Sequence, residues 1–128
     1  MPTTLQDATR SFYDALNVML GGDAGPMLDL WSGEDDVTYM SPFGELLVGP
    51  EPVRASWRSQ AEAKLGGRVE PEELHYFTAD VLGVVVGFER GSVQIEGQDT
   101  AVDIRATSTW RLEDGDWKMI GHHTDPLG

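Results

Sequence analysis

Three histidines are the side chains best suited to exchanging protons near neutral pH, and their spacing limits what they can do. His122 and His123 are adjacent, so on an extended strand they point to opposite faces, and His75 is far away in sequence. No two histidines sit at the helical i, i+4 spacing of a metal pair, so no metal is expected. Strict alternation along the last apolar segment places Trp117, Met119, Gly121 and His123 on one face, with Ile120 and His122 on the other. This alternation makes His123 the expected polar group of a pocket and the candidate catalytic acid or base. The plainer outcome is that His123 hydrogen-bonds a neighbouring strand or a second subunit.

Other charged groups offer less. Asp35-Asp36 and Glu72-Glu73 are neighbours whose side chains diverge on turn or extended backbone, so they read as solvated charges. Asp103 and Arg105 share a strand face with Thr107 and Thr109, while Ile104, Ala106, Ser108, Trp110 and Leu112 form the more buried face. The first pair reads as a solvated cross-strand pair. There is no cysteine, hence no thiolate nucleophile and no disulfide. A glycine-rich phosphate loop, a nucleophile elbow and Ser-His-Asp spacing are all absent, so no cofactor is expected. Aromatic residues supply wide apolar surface with polar tips. Tyr39, Trp57 and Trp110 are candidates for lining a pocket, and Trp31 and Trp117 for the core.

Positioning such groups takes a core, and 128 residues with 40% apolar content suit one domain, residues 1–128, around one core. Twenty-two acidic against nine basic side chains give a net charge of -13. That charge repels phosphate backbones and anionic lipid, so neither nucleic acid nor membrane is the expected partner. The first residues, Met1 to Asp7, lack a basic region followed by an apolar run, and no uncharged apolar stretch approaches the roughly 20 residues needed to span a bilayer. A cytoplasmic location is the expectation.

The elements follow from periodicity. Thr4 to Asp7 has a helix-start pattern, and Leu5, Ala8, Phe12, Ala15, Leu16 and Met19 recur at helical spacing until Gly21-Gly22. Asp23 can cap a short second helix carrying Met27, Leu28, Leu30 and Trp31, closed by Ser32-Gly33. Val37–Met40 and Leu46–Val48 read as short strands around the turn Ser41-Pro42-Phe43-Gly44. Gly49-Pro50-Glu51-Pro52 opens a third helix, in which Val53, Trp57, Ala61 and Leu65 repeat every fourth residue before Gly66-Gly67. Four β-prone segments then run at roughly 74–82, 84–96, 99–112 and 117–124, as an antiparallel meander. Gly87 and Gly91, inside the second of these, mark bulges or bends and hence a strongly curved sheet. The fold class is therefore α+β: three N-terminal helices packed on the concave face of a curved antiparallel sheet with mixed edges, a cone with a cavity between its layers.

With these elements in order, the Tyr39-Met40-Ser41-Pro42-Phe43-Gly44 turn, the Gly49-Pro50-Glu51-Pro52-Val53-Arg54 helix start and the closing segment Thr109 to Thr124 resemble the nuclear transport factor 2-like superfamily. The resemblance is to its SnoaL-like and ketosteroid-isomerase-like branch and covers essentially the whole chain. The Trp-Arg strand, Asp-Gly turn, Trp-Lys and His-x-Asp ending are similar to the association domain of calmodulin-dependent kinase as well.

That scaffold carries isomerases, cyclases, dehydratases and assembly domains, so it assigns no reaction. The isomerase branch implies a carboxylate base before the Pro-x-Gly turn, together with a tyrosine and a protonated aspartate that form an oxyanion hole. Here Ser41 stands at the base position, Tyr13 is displaced from the tyrosine position and Ser108 lies near the aspartate position. A serine hydroxyl is too weak a base to abstract a proton next to a carbonyl near pH 7, so steroid isomerisation is not expected. The resemblance also points to His123. The expected function is binding of a small, hydrophobic, ring-shaped molecule, with Tyr13, Tyr39, Ser41, Trp57 and Trp110 as contacts and an isomerase, cyclase or dehydratase-like reaction at His123. The alternative is a non-catalytic dimerisation or ligand-sequestering domain. A homodimer is expected in either case, with Val93 and Ile95 on the covered outer sheet face.

Overall fold

Thr4 starts the first helix by accepting a hydrogen bond from the Asp7 backbone at 3.0 Å. In the computed structural model, which describes residues 4–42 and 44–127, that helix, α1, runs Leu5–Leu20. Phe43 of the expected turn and the terminal Met1–Thr3 lie outside the described residues. α1 buries Leu5, Ala8, Phe12, Ala15, Leu16 and Met19, the six positions its spacing predicts, and also Thr9, Tyr13 and Leu20. At about 1.5–3 kcal/mol per large apolar side chain, this stripe is the principal anchor of the helical layer.

The second helix, α2 (Gly25–Leu30), stops one residue before Trp31, whose backbone is extended. Two short strands follow, β1 (Thr38–Met40) and β2 (Leu46–Val48). Helix α3 (Pro50–Ala63) buries Val53, Trp57 and Ala61, and Lys64 ends it in the left-handed conformation. The sheet continues through β3 (Arg68–Ala79), β4 (Leu82–Ile95), β5 (Gln98–Glu113) and β6 (Asp116–Pro126). The six strands lie in the order β2-β1-β6-β5-β4-β3. All neighbours are antiparallel except β1 and β6, where Tyr39 pairs with His122 in parallel register.

β3 begins six residues earlier than its composition suggests. Asn17 on α1 captures it: its side chain accepts from the Val69 N–H at 2.8 Å and donates to the Val69 carbonyl at 2.9 Å. Pro71 is tolerated there because β3 is an edge strand with no partner on its far side.

Curvature enters where glycine was expected to supply it. The β3 register shifts between Glu72 and His75, opposite Gly87. A Cβ at Gly87 would lie 2.8 Å from Leu74 and 2.9 Å from the Glu72 carbonyl, so only glycine admits the bulged strand. At Gly91 a Cβ would meet the Arg68 carbonyl oxygen at 1.9 Å. Both glycines serve close approach of β3, and β4 itself stays in unbroken register with β5.

A second shift falls in the β5–β6 hairpin. Trp110 pairs with Met119, but Thr109 pairs with Gly121, leaving Ile120 as the extra residue. Downstream of that bulge every side chain of β6 changes face. Among the described residues no helix is long and apolar enough to cross a membrane.

Candidate functional site

Between the helices and the concave face of the sheet lies a cavity of about 100 Å³. Leu16, Met19 and Leu20 of α1, Trp57 and Gln60 of α3, Tyr39 of β1 and Val93 of β4 form its helical and side walls. Glu89 and His122 supply its ionisable groups. It shares Pro42, Leu65, Val93, Val102 and Ile104 with a groove of about 380 Å³.

Glu89 reaches this wall because β4 alternates. Val85, Glu89 and Val93 share the inward face and are buried, while Val84, Val86, Phe88 and Arg90 face out. A carboxylate in phase with core valines must be hydrogen-bonded to remain there. Tyr13 donates its hydroxyl to Glu89 Oε2 at 2.9 Å, and His122 Nε2 lies 2.9 Å from the same oxygen. Tyr13 is 4%, Glu89 5% and His122 3% exposed, so the three groups form a closed polar cluster inside the core.

His122 is oriented on both sides. Its ring lies 4.6 Å from that of Phe12 and 6.3 Å from that of Tyr39, its partner across the parallel β1–β6 ladder. With Nε2 engaged by Glu89, Nδ1 is buried and has no hydrogen-bond partner among the described residues. A carboxylate on one imidazole nitrogen fixes the tautomer with the proton on that nitrogen, leaving the other as a lone pair able to take a proton.

Tyr39 stacks on Trp57 at 4.6 Å and 18°, and its hydroxyl accepts from Gln60 at 3.0 Å. Burial holds the Tyr39 phenol well above its ordinary range. Burial, reinforced by the Glu89 charge, does the same for Tyr13. Both phenols are therefore neutral donors throughout the working pH range of a protein.

The expected site residues separate accordingly. Tyr39 and Trp57 line the cavity. Tyr13 stands behind Glu89 and borders a different crevice beside α1. Ser41 lines an outer groove along α3. Trp110 is fully buried in the core, with its indole N–H on Ser108 Oγ at 3.1 Å. His123 is on the face opposite the cavity, because the Ile120 bulge breaks the alternation that would have turned it inward. There its Nε2 lies 2.8 Å from Thr38 Oγ1 on β1, and burial next to His122 lowers its pKa from the ordinary value.

Val93 is also corrected: it belongs to the core and the cavity wall, and Ile95 shares its inward phase at the end of the strand. Asp103 and Arg105 do share the outer face, but they bond elsewhere, Asp103 to Arg90 at 3.0 Å and Arg105 to Asp125. Asp36 is held below the usual carboxylate range by the Arg111 guanidinium. Among the described residues no three His, Asp or Glu side chains gather as a metal site would require.

Glu89 escaped the sequence reading although a signal was present, since it is the one charged residue in phase with Val85 and Val93. His122 carried no local signal, because the bulge that turns it inward is fixed by other parts of the chain.

Known proteins share this architecture. A candidate calcium/calmodulin-dependent protein kinase type II association domain from Thiobacillus denitrificans is 27% identical, with a TM-score of 0.79 over 98% of this chain and 96% of that one. A candidate dehydratase of the nuclear transport factor 2-like family from Streptomyces avermitilis is 22% identical, with a TM-score of 0.83 over 94% of this chain and 91% of that one. A nuclear transport factor 2-like protein of unknown function from Pseudomonas putida is 18% identical, with a TM-score of 0.75 over 94% and 82%. No curated protein matches the chain. The SnoaL-like domain pattern matches residues 6–125, and the chain belongs to that family.

Proposed function

We propose that the protein binds a small hydrophobic molecule in the central cavity and moves a proton on it with His122. The supporting observation is the buried His122–Glu89 pair in the cavity wall, whose imidazole has one nitrogen engaged and the other without a hydrogen-bond partner among the described residues. His122 Nδ1 takes a proton from carbon or oxygen of the bound molecule, and the Glu89 carboxylate stabilises the imidazolium that forms. Tyr39, beside His122 in the same wall, is placed to donate to an oxygen that becomes negative in that step. The carboxylate that a resemblance to the isomerase branch implies before the Pro-x-Gly turn is replaced by Ser41, so the base role passes from that turn to β4 and β6. Isomerisation and dehydration both fit this chemistry.

A cavity of about 100 Å³ is small beside the several hundred typical of drug-sized sites, so the inner part of the ligand is a single ring or a short branched group. The test is hydrogen–deuterium exchange next to a carbonyl, read by proton NMR in heavy water with cyclohexanone, cyclohexenone and 3-hydroxycyclohexanone. Wild type should exchange at least one of them, and His122→Gln should slow that exchange by about 10²-fold or more. Equal rates for wild type, variant and buffer defeat the enzymatic reading.

A second reading, a non-catalytic dimerisation domain, is favoured by the outer sheet face. Phe77 is 60% exposed there, and Val84, Val86 and Phe88 are only half-buried. Such a face fits a homodimer under either reading. Light scattering at micromolar concentration tests it: a dimer that Phe77→Glu splits supports this face, and a wild-type monomer removes it.

A further inference from the structure

We propose that Tyr13 is the outer end of a proton relay, Tyr13–Glu89–His122, which joins the central cavity to a second crevice between α1 and β3. The proposal rests on the reading of His122 as the proton-transfer group of the cavity. It adds a route by which that group exchanges its proton with solvent.

The geometry is a continuous chain across the core. His122 and Glu89 line the central cavity, and Tyr13 does not. Tyr13 instead lines a crevice of about 210 Å³ with Gln6, Thr9, Arg10, Leu74 and Tyr76. Both links, from Tyr13 Oη and from His122 Nε2, meet at Glu89 Oε2 at 2.9 Å. The central cavity is mostly apolar, so water inside it has few partners, whereas Arg10 and Gln6 at the crevice are exposed.

The step balances without forming a phenolate. A proton from the bound molecule enters at His122 Nδ1, and the Nε2 proton passes to Glu89 Oε2. The carboxylic acid then gives its proton to Tyr13 Oη as the phenol's own proton leaves to water in the crevice. One proton has entered and one has left, with Glu89 again a carboxylate, Tyr13 again a phenol and His122 neutral with its proton on Nδ1. Burial and the Glu89 charge, which keep the Tyr13 phenol protonated, favour this hand-over over ionisation. Tyr13 is a positioning residue in this scheme, since it does not touch the bound molecule.

A tether and a relay predict opposite changes, and the unliganded protein distinguishes them. In the ¹⁵N-histidine-labelled protein, solvent exchange of the His122 Nε2–H is measured by NMR. If Tyr13 only tethers Glu89, Tyr13→Phe loosens the cluster and exchange is equal or faster. If Tyr13 relays, exchange slows by about tenfold or more, the equivalent of one hydrogen bond to a charged group. A resonance broadened away in wild type that sharpens in Tyr13→Phe counts as slowing; one absent from both counts against the relay. Should Tyr13→Phe fail to fold, Gln6→Trp, at an exposed position on the crevice rim, takes its place: slower exchange supports the relay and an unchanged rate overturns it. No substrate is involved, so the relay can fail while the cavity chemistry stands, and the reverse.

Discussion

Glu89 and Arg90 are consecutive residues of β4, yet they anchor two charge networks of different kinds. On the inner face Glu89 receives Tyr13 and His122 at 2.9 Å each, with all three side chains buried. On the outer face Arg90 bonds Asp103 at 3.0 Å and Glu72 at 3.2 Å and lies 4.4 Å over the Phe88 ring, with its partners about half exposed. The outer network has more charges and more contacts. The inner one has the larger consequences, because desolvation makes each of its groups depend on the others, whereas water replaces any partner lost outside.

The contrast can be broken in order of size. His122→Leu leaves the Glu89 carboxylate buried beside an apolar group, and urea denaturation should show a loss of about 3–5 kcal/mol. Tyr13→Phe removes one donor to that carboxylate and should cost about 1.5–3 kcal/mol by the same measurement. Arg105→Ala, which breaks the exposed pair with Asp125, should leave the denaturation midpoint almost unchanged, and 1 M salt should reduce even that difference. If Arg105→Ala proves as costly as His122→Leu, burial does not set the difference between the faces.

The smallest effect concerns His123, whose pKa in the folded protein is lowered by burial first and by His122 second. The unfolded chain therefore binds the His123 proton more readily. Its contribution to stability is complete above the unfolded value of about 6.5 and declines as pH falls through the lower folded value. The His123 ring resonances should titrate below that unfolded value, and His123→Gln should lose less stability on acidification than wild type does.

Much of the frame was legible because it depends on local periodicity. The stripe from Leu5 to Met19 and the recurrence of Val53, Trp57 and Ala61 at every fourth residue give α1 and α3 with their inner faces, while Leu65, the last position expected in that series, lies beyond the end of α3. The turn pairs Glu96-Gly97 and Asp114-Gly115, all at positive φ, mark the two later hairpins. The site was less legible because its decisive event is not local. β6 changes partner at Ile120: upstream, the Met119 carbonyl accepts from the Ser32 N–H at 2.9 Å, and downstream Gly121 pairs with Thr38 of β1. The bulge accommodates that change, and no pattern within residues 116–126 announces it. The start of β3 was hidden for a related reason, since Asn17, some fifty positions away, holds Val69 in place.

The Ile120 bulge also bears on how such a chain tolerates insertion and deletion over generations. With the bulge kept, loss of one residue between it and the histidines moves the pair up by one position and carries His123, in place of His122, opposite Ser108 on the inner wall. A tandem pair of histidines thus keeps an imidazole opposite Glu89 in either phase, so a change of length that would ordinarily erase an acid–base group exchanges one copy for the other.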